Sequence, residues 1–209
     1  MCPYCFLFHC RSSAQNTLFR FVSFAFRSSW LAFLGFTIFF LIMTDLKVCL
    51  LNVRGLGEQL KRREIFNFLA AKKYSIYLLQ ETHISENTNP VWSSEWSLKF
   101  LFISYSTYSG GVAILFNNNF TFQLQRSFLD NTGRFIICDI KTNEKLITLA
   151  TIYAPNEDDP GFFERFHDHL RDFQCDDINI GANWKTWTGL WTGLWTGLWT
   201  GLGLDFRLY

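Results

Sequence analysis

Between Leu46 and Gly181 the apolar positions fall into two rhythms, continuous runs and spaced stripes. Leu46–Val53 (LKVCLLNV) is a continuous apolar run with β-branched residues at intervals, which predicts a buried strand. Gly55 and Gly57 break the chain. Glu58–Lys73 then brings Leu60, Ile65, Phe66, Leu69 and Ala70 near helical spacing. Lys72 and Lys73 suit the C-terminal end of such a helix. Tyr74–Gln80 is strand-like again and ends at Glu81. After a loop holding Asn87, Asn89 and Pro90, short strands are predicted at Lys99–Tyr105, Gly110–Phe116, Thr121–Phe128, Arg134–Lys141 and Leu146–Tyr153. Turns at Asn117–Asn119, Asn131–Gly133 and Thr142–Glu144 separate the later ones. Pro160–Phe173 predicts a helix with Phe162, Phe163, Phe166, Leu170 and Phe173 on one face, and Asp177–Gly181 starts a last strand. A strand–helix–strand opening followed by hairpins predicts mixed sheets with helices packed outside.

The flanks follow other patterns. Residues 1–44 contain no Asp or Glu and three Arg (Arg11, Arg20, Arg27). Ser28–Thr44 carries no charge, and its core WLAFLGFTIFFLIM makes it a candidate membrane helix, short of the roughly 20 apolar residues a span needs. The arginines before it would place the N-terminus in the cytosol. Its acid-free composition also resembles a mitochondrial transit peptide, and a third reading is a segment never selected as protein. Cys2-Pro3-Tyr4-Cys5 resembles a glutaredoxin redox motif, but that chemistry needs a helix start behind a strand. Adding His9 and Cys10 gives four zinc-ligand types at a spacing matching no paired-knuckle pattern. At the other end, residues 184–209 hold four copies of WTGL, from Trp187 to Leu202. A four-residue period fits no solenoid or propeller, so this tail is expected to be low-complexity and disordered. The chain thus divides into a leader (1–44), a domain (45–183) and a tail (184–209).

Charge narrows the function. From Asp45 to Asn183 there are 14 Lys and Arg against 17 Asp and Glu, a balance of −3. Grip on nucleic acid through bulk positive charge is therefore excluded, while a small site in which a metal supplies the charge is not. Cys49, Cys138 and Cys175 are far apart in apolar surroundings and are expected to be reduced and buried, as in an intracellular protein.

Five segments occur in a telling order: LNVRGLG (Leu51–Gly57), LLQETH (Leu78–His83), SGGVAIL (Ser109–Leu115), GRFI (Gly133–Ile136) and IYAPN (Ile152–Asn156). Together they resemble the endonuclease domain of LINE-type retrotransposons, in the exonuclease III and apurinic-endonuclease branch of the endonuclease/exonuclease/phosphatase superfamily. The resemblance covers roughly residues 47–181. It implies an α/β fold, a four-layer α/β sandwich with two mixed sheets between helices, here incomplete and carrying an apolar N-terminal helix. It also implies Mg2+-dependent hydrolysis of DNA phosphodiesters, with Glu81 as the metal-binding carboxylate and Asn52 beside the metal. Tyr153 would hydrogen-bond the scissile phosphate, and Asn156 would orient the phosphate or the water. Mg2+ chemistry asks for one or two carboxylates and several retained waters, which a Glu at a strand end can serve. His83, His167 and His169 show no partner spacing and are expected at the surface.

The resemblance stops at the next strand. Where the family has GDFN, this chain reads Gly181-Ala182-Asn183-Trp184, with Ala182 in the place of the Asp and Asn183 one place out of register. The later Asp and His motif of the family is absent, and Asp205 in GLDFRLY matches it poorly. Losing the groups that position water and leaving group removes at least about 10²–10⁴ in rate. The expectation is a truncated, inactive nuclease relative in a nuclear or cytoplasmic setting, with DNA as its partner and no small-molecule cofactor. The competing expectations are a non-enzymatic interaction protein tethered to a membrane through 28–44, an untranslated-like remnant, and an active enzyme recruiting Asp176, Asp177 or Asp205.

Overall fold

The computed structural model describes residues 4–11, 37–42, 46–85, 89–97, 99–157, 159–173 and 177–184. Ten strands are assigned among them: β1 Tyr4–Arg11, β2 Thr37–Ile42, β3 Lys47–Asn52, β4 Ile76–Gln80, β5 Phe100–Ile103, β6 Val112–Phe116, β7 Gln123–Leu129, β8 Phe135–Thr142, β9 Lys145–Tyr153 and β10 Asp177–Trp184. Three helices accompany them: α1 Gln59–Lys72, α2 Asn89–Glu95 and α3 Pro160–Asp172. The strands form two five-stranded mixed sheets, ordered β2-β3-β4-β6-β5 and β1-β10-β9-β8-β7. β3 and β4 run parallel, as do β9 and β10, and the remaining pairs are antiparallel.

Strand alternation sorts the apolar residues into three buried layers. Leu50, Leu78, Ile114 and Phe116 of one sheet meet Ile136, Cys138, Leu149 and Tyr153 of the other. On the far side of the first sheet, Cys49, Leu51, Tyr77 and Leu79 pack under Ile65, Phe66 and Leu69 of α1 and Trp92 of α2. On the far side of the second, Ile137, Ala150, Ile152 and Ile180 pack under Phe162, Phe166 and Leu170 of α3. Helix, sheet, sheet and helix therefore stack as four layers, with the central strands of each sheet buried on both faces, as the continuous apolar runs require.

The α1 face differs from the expected one. Leu60 is 65% exposed, whereas Arg62 is buried. Its guanidinium grips Glu95 at 2.5 Å and 3.2 Å and donates to the carbonyls of Leu56 and Gly57 at 2.9 Å and 3.0 Å. α2, expected as loop around Asn89 and Pro90, is held by Trp92 in an aromatic cluster with Phe66, Phe100 and Phe102.

The leader departs most from expectation. Part of the candidate membrane helix, Thr37–Ile42, is instead strand β2, paired antiparallel with β3 from Thr37↔Asn52 to Ile42↔Lys47. The rest of 28–44 lies outside the described residues. A run of Thr, Ile and Phe suits a strand as well as a helix, and the open edge of β3 decides between them by pairing its backbone groups. No helix among the described residues is long and apolar enough to cross a membrane. Tyr4–Arg11 is strand β1, so Tyr4 and Cys5 of the Cys-Pro-Tyr-Cys motif do not begin a helix. The WTGL copies lie outside the described residues; β10 runs through Asn183 to Trp184. The two sheets cover one another. Cys49 and Cys138 are buried and free, as expected. Burial pushes the Cys49 thiol up to about 12.

Candidate active site

The parallel strands β3 and β4, and β9 and β10, end at one edge of the sandwich, and the candidate residues collect there. Asn52 closes β3 in register with Gln80 of β4. Gln80 is fully buried, and its side-chain amide crosses between the sheets to donate to Ile152 O at 2.7 Å and Gly181 O at 3.3 Å. This polar group within an apolar strand fixes the end of β4 against the ends of β9 and β10. Glu81 follows directly.

Glu81 adopts φ 55° and His83 φ 48°, left-handed values that non-glycine residues rarely take. Backbone bonds hold this turn on both sides. Gly55 N donates to Glu81 O and Leu56 N to Thr82 O, both at 2.7 Å. Thr82 N donates to Gly111 O and His83 N to Gly110 O, both at 3.1 Å. The LNVRGLG and SGGVAIL segments thus clamp LLQETH from either side. Local strain fixed by its surroundings in this way is typical of functional positions.

Tyr153 ends β9 and is 7% exposed. Its phenol lies within reach of the Glu81 charge. Burial first, and then the Glu81 charge, pushes the phenol up to about 12 against the opposing pull of Arg134. It is therefore a permanent donor at neutral pH. Asn52 is buried, and its Oδ1 accepts from Arg54 N at 3.2 Å. That bond sets the amide orientation, leaving Nδ2 without a partner. Asn52 therefore offers the site a free Nδ2 donor, suited to a carboxylate or phosphate oxygen. Asn156 is exposed in the loop beyond Pro155.

Ala182 lies on the face of β10 that packs under α3, in register with Ile152. A carboxylate there would point away from Glu81. Asn183 is the position in register with Tyr153. The histidines are also more buried than expected. His83 packs against Gly55 and feels the Glu81 charge, and burial lowers its pKa. His169 stacks on Phe128 with centroids 3.7 Å apart, and His167 is 19% exposed at its side chain.

The profile of the Endonuclease/Exonuclease/phosphatase family matches residues 49–183. The chain belongs to that family. Within it, the chain is similar to the Transposon TX1 uncharacterized 149 kDa protein of Xenopus laevis, 25% identical over 137 residues. That match takes in 65% of this chain and 10% of the transposon protein, so the chain spans about a tenth of its relative. Its fold is similar to the endonuclease domain of TRAS1, a telomere-specific non-LTR retrotransposon, with TM-score 0.51 and 16% identity over 76% of this chain and 71% of that one. Another solved structure is D. rerio TDP2 complexed with a single-strand DNA product, at TM-score 0.48 and 10% identity over 78% of this chain and 66% of that one.

As to metal, the family implies Mg2+. No group of three or more His, Cys, Asp or Glu side chains among the described residues is placed to share an ion. Glu81 alone fits Mg2+, which accepts a single protein carboxylate and keeps its waters.

Proposed function

We propose that this chain is a retrotransposon-derived endonuclease domain, shaped for Mg2+-dependent hydrolysis of DNA phosphodiesters, that holds DNA at its centre and does not cut it. The observation that carries this reading is the clamped Glu81 turn, which Gln80 ties through Ile152 O to the end of β9, where Tyr153 sits. Glu81 would hold the ion, which when bound neutralises charge on a phosphate oxygen. Tyr153 donates to a phosphate oxygen, and the free Nδ2 of Asn52 steadies either the carboxylate or the phosphate. Asn156, on the approach loop, orients the phosphate or a water. These donors bind and align. None of them takes a proton from water.

The missing acid accounts for inactivity. Position 183, in register with Tyr153, holds an amide, which has no basicity at neutral pH. Loss of proton transfer alone removes about 10²–10⁴ in rate. The natural setting is intracellular, where nuclear DNA and Mg2+ are both present.

Supercoiled plasmid incubated with the full chain and Mg2+ tests the reading. The unaltered chain is expected to leave it closed. Asn183→Asp is expected to gain nicking that Glu81→Ala removes, whereas Ala182→Asp is expected to cost stability by burying a charge beneath α3. Nicking by the unaltered chain that depends on Glu81 would contradict the inactive reading. A folded, active Ala182→Asp would contradict the placement of the missing acid.

A further inference from the structure

One cation beside the candidate site has no charge partner among the described residues. Arg134 contributes its backbone oxygen to Tyr153 N at 2.7 Å, and its guanidinium donates to Ala154 O at 3.3 Å. The same guanidinium lies 5.6 Å from the Tyr153 ring and 5.8 Å from the Tyr105 ring. None of the ion pairs among the described residues includes Arg134. A guanidinium has five N–H donors in a rigid fork, so one held by a single carbonyl and flanked by rings has donors left for an anion.

The second ring is fixed and open to solvent. Tyr105 is 57% exposed, and Tyr108 three residues on is 90% exposed. Two left-handed glycines press on the base of Tyr105, Gly110 at φ 71° and Gly133 at φ 68°. A Cβ on Gly110 would stand 3.0 Å from the Tyr105 Cβ, and one on Gly133 2.6 Å from it. Only glycine permits this approach. The Gly133 turn is itself tied down by Asp130, whose carboxylate accepts from Arg134 N at 3.2 Å and from the Thr132 hydroxyl. The same turn therefore sets both the aromatic and the cation.

An exposed aromatic on a rigid seat, next to an unpaired guanidinium, suits a nucleotide whose base is out of its stack. Bases inside a closed duplex have both faces covered, so an aromatic can stack only on an unpaired one. The domain's balance of −3 gives no general attraction for DNA, so local contacts must supply it. We infer that Tyr105, Tyr108 and Arg134 form a ledge for an unpaired nucleotide, the base stacked on Tyr105 and its phosphate on Arg134. The ligand preferred beside Glu81 is thus single-stranded or locally melted DNA. This rests on the proposed function for the position of the ledge along the DNA, and its test needs no turnover.

Fluorescence anisotropy of the full chain, in EDTA, with a 12-nucleotide single strand and the matching duplex reads the ledge directly. The single strand is expected to bind more tightly. Tyr105→Ala is expected to weaken it about tenfold, abolish quenching of a 2-aminopurine in the strand, and leave duplex binding unchanged. Arg134→Ala is expected to weaken both ligands and reduce the salt slope by about one, with Arg134→Lys restoring the slope. Tyr108→Ala, at a 90% exposed position, supplies a variant that cannot disturb the fold and is expected to weaken the single strand alone. Duplex binding as tight as single-strand binding would overturn the ledge. So would unchanged single-strand affinity in both tyrosine variants. Glu81-dependent nicking by Asn183→Asp together with either of those results would remove the ledge and leave the hydrolytic reading standing.

Discussion

Glu81 is held by its neighbours rather than by its own conformational preference. Its left-handed backbone persists because Gly55, Leu56, Gly110 and Gly111 share the hydrogen bonds of the turn. Gln80 does comparable work across the two sheets. Gln80→Leu keeps the volume and leaves the carbonyls of Ile152 and Gly181 without that donor, at a cost of about 1–2 kcal/mol. Urea denaturation is expected to show this as a lower midpoint, and an unchanged midpoint would remove Gln80 from the account. Glu81 and Tyr153 were legible in the sequence because each ends a strand inside a distinctive segment. Gln80 carried a signal that was readable but unused, a polar residue closing a run otherwise apolar. The donor role of Asn52 was not legible, because it depends on the Arg54 N–H that fixes its amide.

At the scale of elements, the ion pair between Arg62 of α1 and Glu95 of α2 ties both helices to the loop after β3. Both side chains are buried, 6% and 8% exposed. Arg63 adds a second cation 3.4 Å from the same carboxylate. Hydrogen bonding from Arg62 holds the Glu95 carboxyl below its ordinary 4.5. The stability this contributes is fully present above about 4.5 and is lost as pH falls through the lowered value of the folded state. Glu95→Ala is expected to cost about 3 kcal/mol at neutral pH by stranding a buried guanidinium. Thermal melts from pH 7 to 3 are expected to fall less steeply for Glu95→Gln than for the unaltered chain, and parallel curves would contradict the assignment. Most strands were legible within one or two residues, since two-sided burial writes continuous apolar runs. α2 was hidden by its Asn-Pro start, and the buried face of α1 was hidden because an arginine replaces an apolar residue in the stripe. The face taken by Ala182 was hidden for a related reason. A one-residue shift reverses the face of a strand, and only pairing with β9 fixes which face is which.

For the whole molecule, the leader changes the picture most. β1 and β2 lie at the outer edges of the two sheets, against β10 and β3. Strands there pair backbone groups that would otherwise be open to other chains. An apolar run of this length reads equally as buried helix or strand, and tertiary pairing settles it. The four-layer arrangement brings β3, β4, β9 and β10 to one edge, so residues from Asn52 to Asn183 in sequence share a single rim. We propose that at that rim Glu81 seats an ion which draws a DNA phosphate to Tyr153 without turnover. The most direct measurement is the affinity of the full chain for a short DNA strand with Mg2+ and with EDTA, for the unaltered protein and Glu81→Ala. The account predicts that Mg2+ tightens binding to the unaltered chain by about tenfold, worth about 1.4 kcal/mol, and does nothing for Glu81→Ala. Equal responses to Mg2+ in the two proteins would contradict it.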